Sequence, residues 1–303
     1  MAVAPAGGIG RRVSGVSSKY DVRQQHAHRP KTILAGQMNR YAPIAILLWL
    51  VVGLSACADN SPVSASPTPT VPVPPCNEDG TIGHGSVPNP TQGYDINFQY
   101  YLPPCYATSM KQTYPVIYLL TLGFEGSLNN TDNAPFSLTN RLIRSGKMSP
   151  VILIVPTATV GQGYHAALAI DLVPFVDSQF RTIQDAQHRG VGGISHAAAI
   201  SVRMAFQFPE TFGSVGLLSG GIVPEEQDQF ASWIARTPPG QWPRVLIDVG
   251  DQDPIFNLTT NLLEELDKYH VPYILKRGSG GHTWEYWSSI MESCLLWFAE
   301  SWK

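Results

Sequence analysis

The sequence predicts an α/β domain built on a mainly parallel, doubly wound sheet with helices on both faces. Three observations predict it. Short continuous apolar runs, rich in β-branched residues and bounded by proline, read as strands buried on both faces. Stretches with helical spacing lie between those runs. Residues 76–303 have the length of one ordinary α/β domain.

In chain order, residues 94–102 (YDINFQYYL) alternate with period two and end at Pro103-Pro104, as a strand entering a turn does. Residues 116–120 (VIYLL) and 151–155 (VILIV) are the clearest buried strands, and 215–218 and 245–249 (VLIDV) repeat their character. Helical spacing appears at 136–144, 169–180, 197–206, 257–269 and 285–299. In a sheet of this kind ligands bind beyond the carboxyl ends of the strands, so chemistry is to be sought in the loops that follow them.

Composition narrows the function classes. The 303 residues are 44% hydrophobic and 14% charged, which argues against a disordered or fibrous chain. The net charge of −3 conceals a split: residues 1–57 carry seven Lys/Arg against one Asp (+6), and residues 58–303 carry thirteen against twenty-two Asp/Glu (−9). An acidic body without a basic stripe disfavours a nucleic-acid partner.

The longest apolar run, 42–54 (APIAILLWLVVGL), is shorter than the roughly 20 residues that a bilayer-spanning helix needs. It reads as the apolar core of an export signal that begins at Met38, behind Asn39 and Arg40. Residues 1–37 then read as upstream sequence from a misplaced start. The tetrad Leu54-Ser55-Ala56-Cys57 resembles the lipobox of bacterial lipoproteins, and that resemblance implies a lipid on Cys57 and an exported, membrane-anchored protein at the bacterial cell envelope. Residues 58–75 are Pro, Ser and Thr with almost no large apolar side chain, a tether extending roughly 3 Å per residue. Residues 76–303 are the folded unit.

No cysteine spacing reads as a metal site, and no metal or organic cofactor is implied. Cys76 and Cys105 flank the first predicted strands. In an oxidising compartment a bond between them would add on the order of 3–4 kcal/mol by chain-entropy reasoning. Cys294 reads as a small buried hydrophobe.

Gly193-Ile194-Ser195-His196-Ala197 follows an apolar stretch and opens a helical run. A nucleophile elbow requires a strand-to-helix turn sharp enough to strain the serine, with small residues two before and two after it. Gly193 and Ala197 satisfy that demand, although a glycine-rich turn with an ordinary serine cap has the same pattern. Order adds weight. Gly250-Asp251-Gln252-Asp253-Pro254 follows the strand at 245–249, and Gly280-Gly281-His282-Thr283-Trp284 follows the apolar stretch 271–275. A serine, a carboxylate and a histidine thus come in the chain order Ser, Asp, His, each at a strand exit.

From about residue 93 to 302 the chain resembles the bacterial esterases that include S-formylglutathione hydrolases, enterochelin esterases, feruloyl esterases and mycolyltransferases, all of the α/β-hydrolase fold. The matching phrases are YLPPCY at 101–106, YPVIYLL at 114–120, DLVPFVD at 171–177, FRT at 180–182, His188-Arg189, FPETFG at 208–213, and Gly281-His282 with Trp284 and Trp287. The resemblance implies Ser195 as nucleophile, His282 as general base and then acid, and Asp253 as orienting carboxylate, with Asp251 as fallback. It also implies an oxyanion hole made by the backbone N–H of His196 and by Gly123 or Phe124 in the loop after 116–120. The chain departs from the family at two places, reading Ser195-His196-Ala197-Ala198 in place of Ser-Met-Gly-Gly and Thr121-Leu122-Gly123-Phe124 in place of His-Gly. Phe124 and Trp284, with Trp287, suggest an aromatic-lined pocket, while tryptophans after the histidine equally suit packing of the last helix.

The leading expectation is an exported serine esterase acting on a small-molecule or cell-envelope ester through an acyl-enzyme. A catalytically silent α/β-hydrolase fold used for binding is the rival from another class. An acyltransferase of the mycolyltransferase type shares every catalytic residue and differs only in the acceptor.

Overall fold

The computed structural model describes residues 76–89, 93–121, 134–157 and 163–302. The stretch expected to be an export signal, Cys57, the expected tether at 58–75, Gly123 and Phe124 lie outside the described residues. Among the described residues, eight strands form one sheet in the order β1-β2-β4-β3-β5-β6-β7-β8. They are β1 (Thr81–Val87), β2 (Ile96–Leu102), β3 (Val116–Leu120), β4 (Ile152–Pro156), β5 (Arg189–Ile194), β6 (Ser214–Leu218), β7 (Arg244–Gly250) and β8 (Tyr273–Gly278). β1 and β2 run antiparallel at one edge, and every pair from β4 through β8 is parallel.

Among the described residues, seven α-helices lie between and after the strands: α1 (Pro135–Arg144), α2 (Tyr164–Ala167), α3 (Val173–Gln179), α4 (His196–Gln207), α5 (Gln227–Arg236), α6 (Phe256–Lys268) and α7 (Trp284–Glu300). Strand side chains alternate between two cores. Tyr118, Ile154, Val191, Val215 and Ile247 join Ile200 and Phe206 of α4, Phe230 of α5 and Leu262 of α6. Ile117, Leu119, Leu153 and Leu246 join Phe136 and Leu142 of α1 and Met291, Leu295 and Phe298 of α7. Helices therefore cover both faces, and the predicted fold class holds.

Three elements differ from the sequence reading. β1 has no counterpart in the sequence reading, since its glycines break the alternation of apolar side chains that marks a strand. The rings of Tyr100 and Phe98 on β2 occupy the room above Gly83 and Gly85, where an added Cβ would lie 2.3 and 2.2 Å from ring atoms. β1 is thus an edge strand that exists by accepting its neighbour's aromatics. The single helix expected at 169–180 is α2, a π-helical stretch at Leu168–Leu172, and α3. The break falls just before Pro174, which has no N–H to give to an α-helical register. α5 was also not foreseen, although Phe230, Trp233 and Ile234 bury one of its faces.

β5 is the strand that places the site. It lies beside β3, where the order of connections reverses, and such a switch point opens a crevice at the carboxyl ends of the strands. Its glycines admit α7 closely: a Cβ at Gly190 would lie 2.6 Å from the Phe298 ring. At the amino-terminal end of the described unit, Cys76 and Cys105 form a disulfide. Cys294 is buried in α7, and burial pushes its thiol up to about 12.

Candidate active site

Ser195 sits between β5 and α4 with φ 57° and ψ −124°, a conformation that L-residues rarely adopt. Its N–H still follows the sheet, donating to Leu218 O at 2.9 Å, and its carbonyl already belongs to the helix, accepting from Ala198 N at 2.9 Å. One residue thus completes the whole change of direction. The turn is so tight that a Cβ at Gly193 would stand 2.3 Å from the carbonyl oxygen of Ala197. The family's second and third elbow glycines are Ala197 and Ala198 here, both fully buried. The chain makes room on the facing segment, where a Cβ at Gly220 would come within 2.2 Å of the Ala198 methyl.

The second group arrives from β7. Gly250 leads into a turn in which Asp253 N donates to Gly250 O at 3.2 Å. The Asp253 side chain is completely buried, and one of its oxygens accepts from Ile255 N at 3.0 Å. The third group arrives from β8. His282 stands two residues before α7, whose cap is Thr283, and its ring is partly exposed. The two loops are laced together: Asp251 N donates to Gly278 O at 2.8 Å and Gln252 N to Gly280 O at 2.9 Å.

These three side chains meet. Ser195 Oγ is 2.7 Å from His282 Nε2, and His282 Nδ1 is 3.1 and 3.0 Å from the two Asp253 oxygens. Because a carboxylate can only accept, Asp253 fixes the proton on Nδ1 and leaves Nε2 to accept from the serine hydroxyl. Asp251 is elsewhere. It is exposed, and its Oδ1 accepts from Gly280 N at 3.1 Å, so it braces the histidine loop without touching the ring.

His196 is the first residue of α4, and its N–H is among the four at a helix start that have no partner one turn back. Those N–H groups and the helix dipole favour negative charge beside Ser195. The His196 side chain is exposed. Gly123 and Phe124 follow β3 but fall outside the described residues. Trp284 is half-buried and packs against the cluster of α1 and α7, while Trp287 is buried and stands perpendicular to the His282 ring at 4.8 Å between centroids.

Sequence reasoning missed Ser219. It is fully buried at φ 54°, directly after β6, and its Oγ accepts from Trp287 Nε1 at 2.8 Å. Within Leu218-Ser219-Gly220-Gly221 it reads as an ordinary turn residue. Asp248 and Tyr286 were missed as well: the Tyr286 hydroxyl donates to Asp248 Oδ1 at 2.7 Å. Burial raises the Asp248 carboxyl above the ordinary carboxylate value, and this hydrogen bond only partly offsets the rise. At the opposite, amino ends of β5 to β7 a groove of about 1020 Å³ runs past Gln187, Phe208, Arg236, Trp242 and Arg244. It contains none of the three converging residues.

Comparisons with known proteins bear on the family and the fold. The family model described as "Putative esterase" matches residues 90–298. An endo-1,4-beta-xylanase/feruloyl esterase of Xylanibacter ruminicola is 28% identical over 171 residues, which is 48% of this chain and 23% of that protein. The chain therefore spans about a quarter of that relative's length. A ferulic acid esterase from Anaeromyces mucronatus, solved with ferulic acid, superposes with a TM-score of 0.62 at 19% identity, over 75% of this chain and 93% of that one. An S-formylglutathione hydrolase from Staphylococcus aureus gives 0.56 at 16% identity, over 73% and 98%. At such identities the structures establish the α/β-hydrolase fold.

Proposed function

The chain belongs to this esterase family, and from that premise we propose that it is a serine esterase working through an acyl-enzyme. The observation that carries the reading is one imidazole held between the Ser195 hydroxyl at 2.7 Å and the buried Asp253 carboxylate at 3.0 Å.

Ser195 Oγ attacks the carbonyl carbon of the ester as its proton passes to His282 Nε2. Asp253 keeps the ring oriented and stabilises the imidazolium that forms. The charge that develops on the carbonyl oxygen is taken by the N–H of His196 and by a second donor from Gly123 or Phe124. Collapse of the tetrahedral intermediate expels the alcohol, which takes the proton from Nε2. Water then repeats the sequence on the acyl-serine and releases the acid. An alcohol in place of water makes the same site an acyltransferase, so competition between the two acceptors separates these readings.

Feruloyl and related aromatic-acyl esters are the first substrates to assay, because feruloyl esterases recur among the relatives. Export, attachment through a lipid on Cys57 and a substrate in the cell envelope are part of the proposal and rest on the sequence pattern of residues 38–57 alone. The strained serine and its hydrogen bond to the imidazole support catalysis over a silent binding fold.

A fluorophosphonate tests the reading, since it reacts by far the fastest with an activated serine. The protein should be labelled once, on Ser195, with loss of turnover of short aryl esters. Turnover that survives Ser195→Ala would mean another mechanism.

A further inference from the structure

The triad leaves one strained residue beside it without a task. Ser219 is held at φ 54° although two glycines, Gly220 and Gly221, stand next to it. A glycine at 219 would take this conformation without strain, so the side chain accounts for the serine. Its hydroxyl accepts from Trp287 Nε1 at 2.8 Å, and the indole stands at 89° to the His282 ring, with 4.8 Å between centroids.

The hydroxyl is a fixed point. Ser219 N donates to Asp248 O at 2.8 Å, and Gly220 O accepts from Thr259 Oγ1 at 2.9 Å. Gly220 is also pressed against Ala198, three residues beyond the nucleophile. The residue before the tryptophan makes a second tie, with the Tyr286 hydroxyl donating to Asp248 and accepting from Gly278 N at 3.2 Å. The first turn of α7 is thereby pinned to the ends of β6, β7 and β8, the strands around the histidine loop.

We infer that Ser219 and Trp287 are positioning residues: the serine hydroxyl fixes the indole, and the indole wall holds the His282 imidazole in the plane that serves Ser195 and Asp253 at once. Hydrogen bonds through Nδ1 set one axis of the ring but leave it free to tilt, and a perpendicular aromatic neighbour removes that freedom. The inference rests on the serine-esterase reading, because a ring that transfers no proton needs no such wall.

The test uses Ser219→Ala, Trp287→Phe and the double variant in hydrolysis of a short aryl ester across pH. Each single variant should lower kcat by about tenfold with KM within about twofold, and should displace the acid limb of the profile. The double variant should be no slower than the slower single, since both changes break one bond. Where Trp287→Phe fails to fold, Ser219→Ala alone decides, because it removes one oxygen and keeps the core filled, and its melting temperature reports the fold. Full kcat with an unmoved pH limb in Ser219→Ala, or additive losses in the double variant, would overturn the inference. Failure of the esterase reading shows itself differently, as turnover that survives Ser195→Ala, and would remove this inference with it.

Discussion

The two ends of the sheet solve opposite problems. At the carboxyl ends of β5 to β8, polar groups are buried, paired and held by strained or crowded backbone: Ser195 and Ser219 at positive φ, Gly193 against Ala197, Gly250 within 2.2 Å of Gly280 O if it carried a Cβ. At the amino ends of β5 to β7 lies a groove of about 1020 Å³, lined by side chains such as Arg236 and Gln241 that remain exposed. Arg244 there is already occupied, donating to Ser301 Oγ at 2.7 Å and stacked over Trp297. Among the described residues, buried groups converge on one another at the carboxyl ends and not in this groove. Chemistry belongs with convergence, because a preorganised site needs fixed groups more than it needs space.

The contrast can be broken most decisively at the elbow. Ser195→Ala should lower ester turnover by at least about a thousandfold and leave the melting temperature nearly unchanged, since the change removes only the reacting oxygen. The paired substitutions Asp253→Asn and Asp251→Asn sharpen it. The first should cost about a hundredfold or more in kcat, because an amide turned toward Nδ1 no longer fixes the tautomer. The second keeps an oxygen for Gly280 N and should change kcat by less than about threefold.

Gly193→Ala comes next. A methyl 2.3 Å from a backbone carbonyl cannot be relieved by a rotamer change, so the elbow must move; kcat should fall by about tenfold or more and thermal unfolding should begin earlier. A smaller effect separates stability from chemistry. A raised acid pKa contributes stability that is full below the ordinary value of 3.8 and fades as pH climbs through the folded value, and burial raises Asp248 in this way. Thermal midpoints of Asp248→Asn measured across weakly acidic pH should therefore fall less steeply with rising pH than those of the parent protein. In the amino-end groove, Trp242→Ala should leave kcat/KM within about twofold, and a larger loss would show that this groove takes part in the reaction.

The sequence carried these two ends unequally. The strands at 116–120 and 151–155 announce themselves because burial on both faces demands continuous apolar side chains. β1 does not, because its stability comes from rings on another strand. The elbow, Asp253 and His282 could be placed by their order at strand exits, and the choice between Asp253 and Asp251 needed the family resemblance. Ser219 was illegible, since its backbone conformation and its tryptophan partner, 68 residues away, exist only in the fold. His196, Ala197 and Ala198 read as departures from the family, and only the facing Gly220 shows how the alanines are accommodated.

In the proposed mechanism Ser195 carries the acyl group between two half-reactions. Acid quenching during turnover of a slowly hydrolysed aryl ester, followed by trypsin and mass spectrometry, tests it directly. Cleavage after Arg189 and Arg203 isolates residues 190–203, which hold Ser195 and Ser201. An acyl mass is expected on that peptide, located at Ser195 and lost in Ser195→Ala. An unmodified peptide under burst conditions, or an acyl group on any other residue, would contradict it.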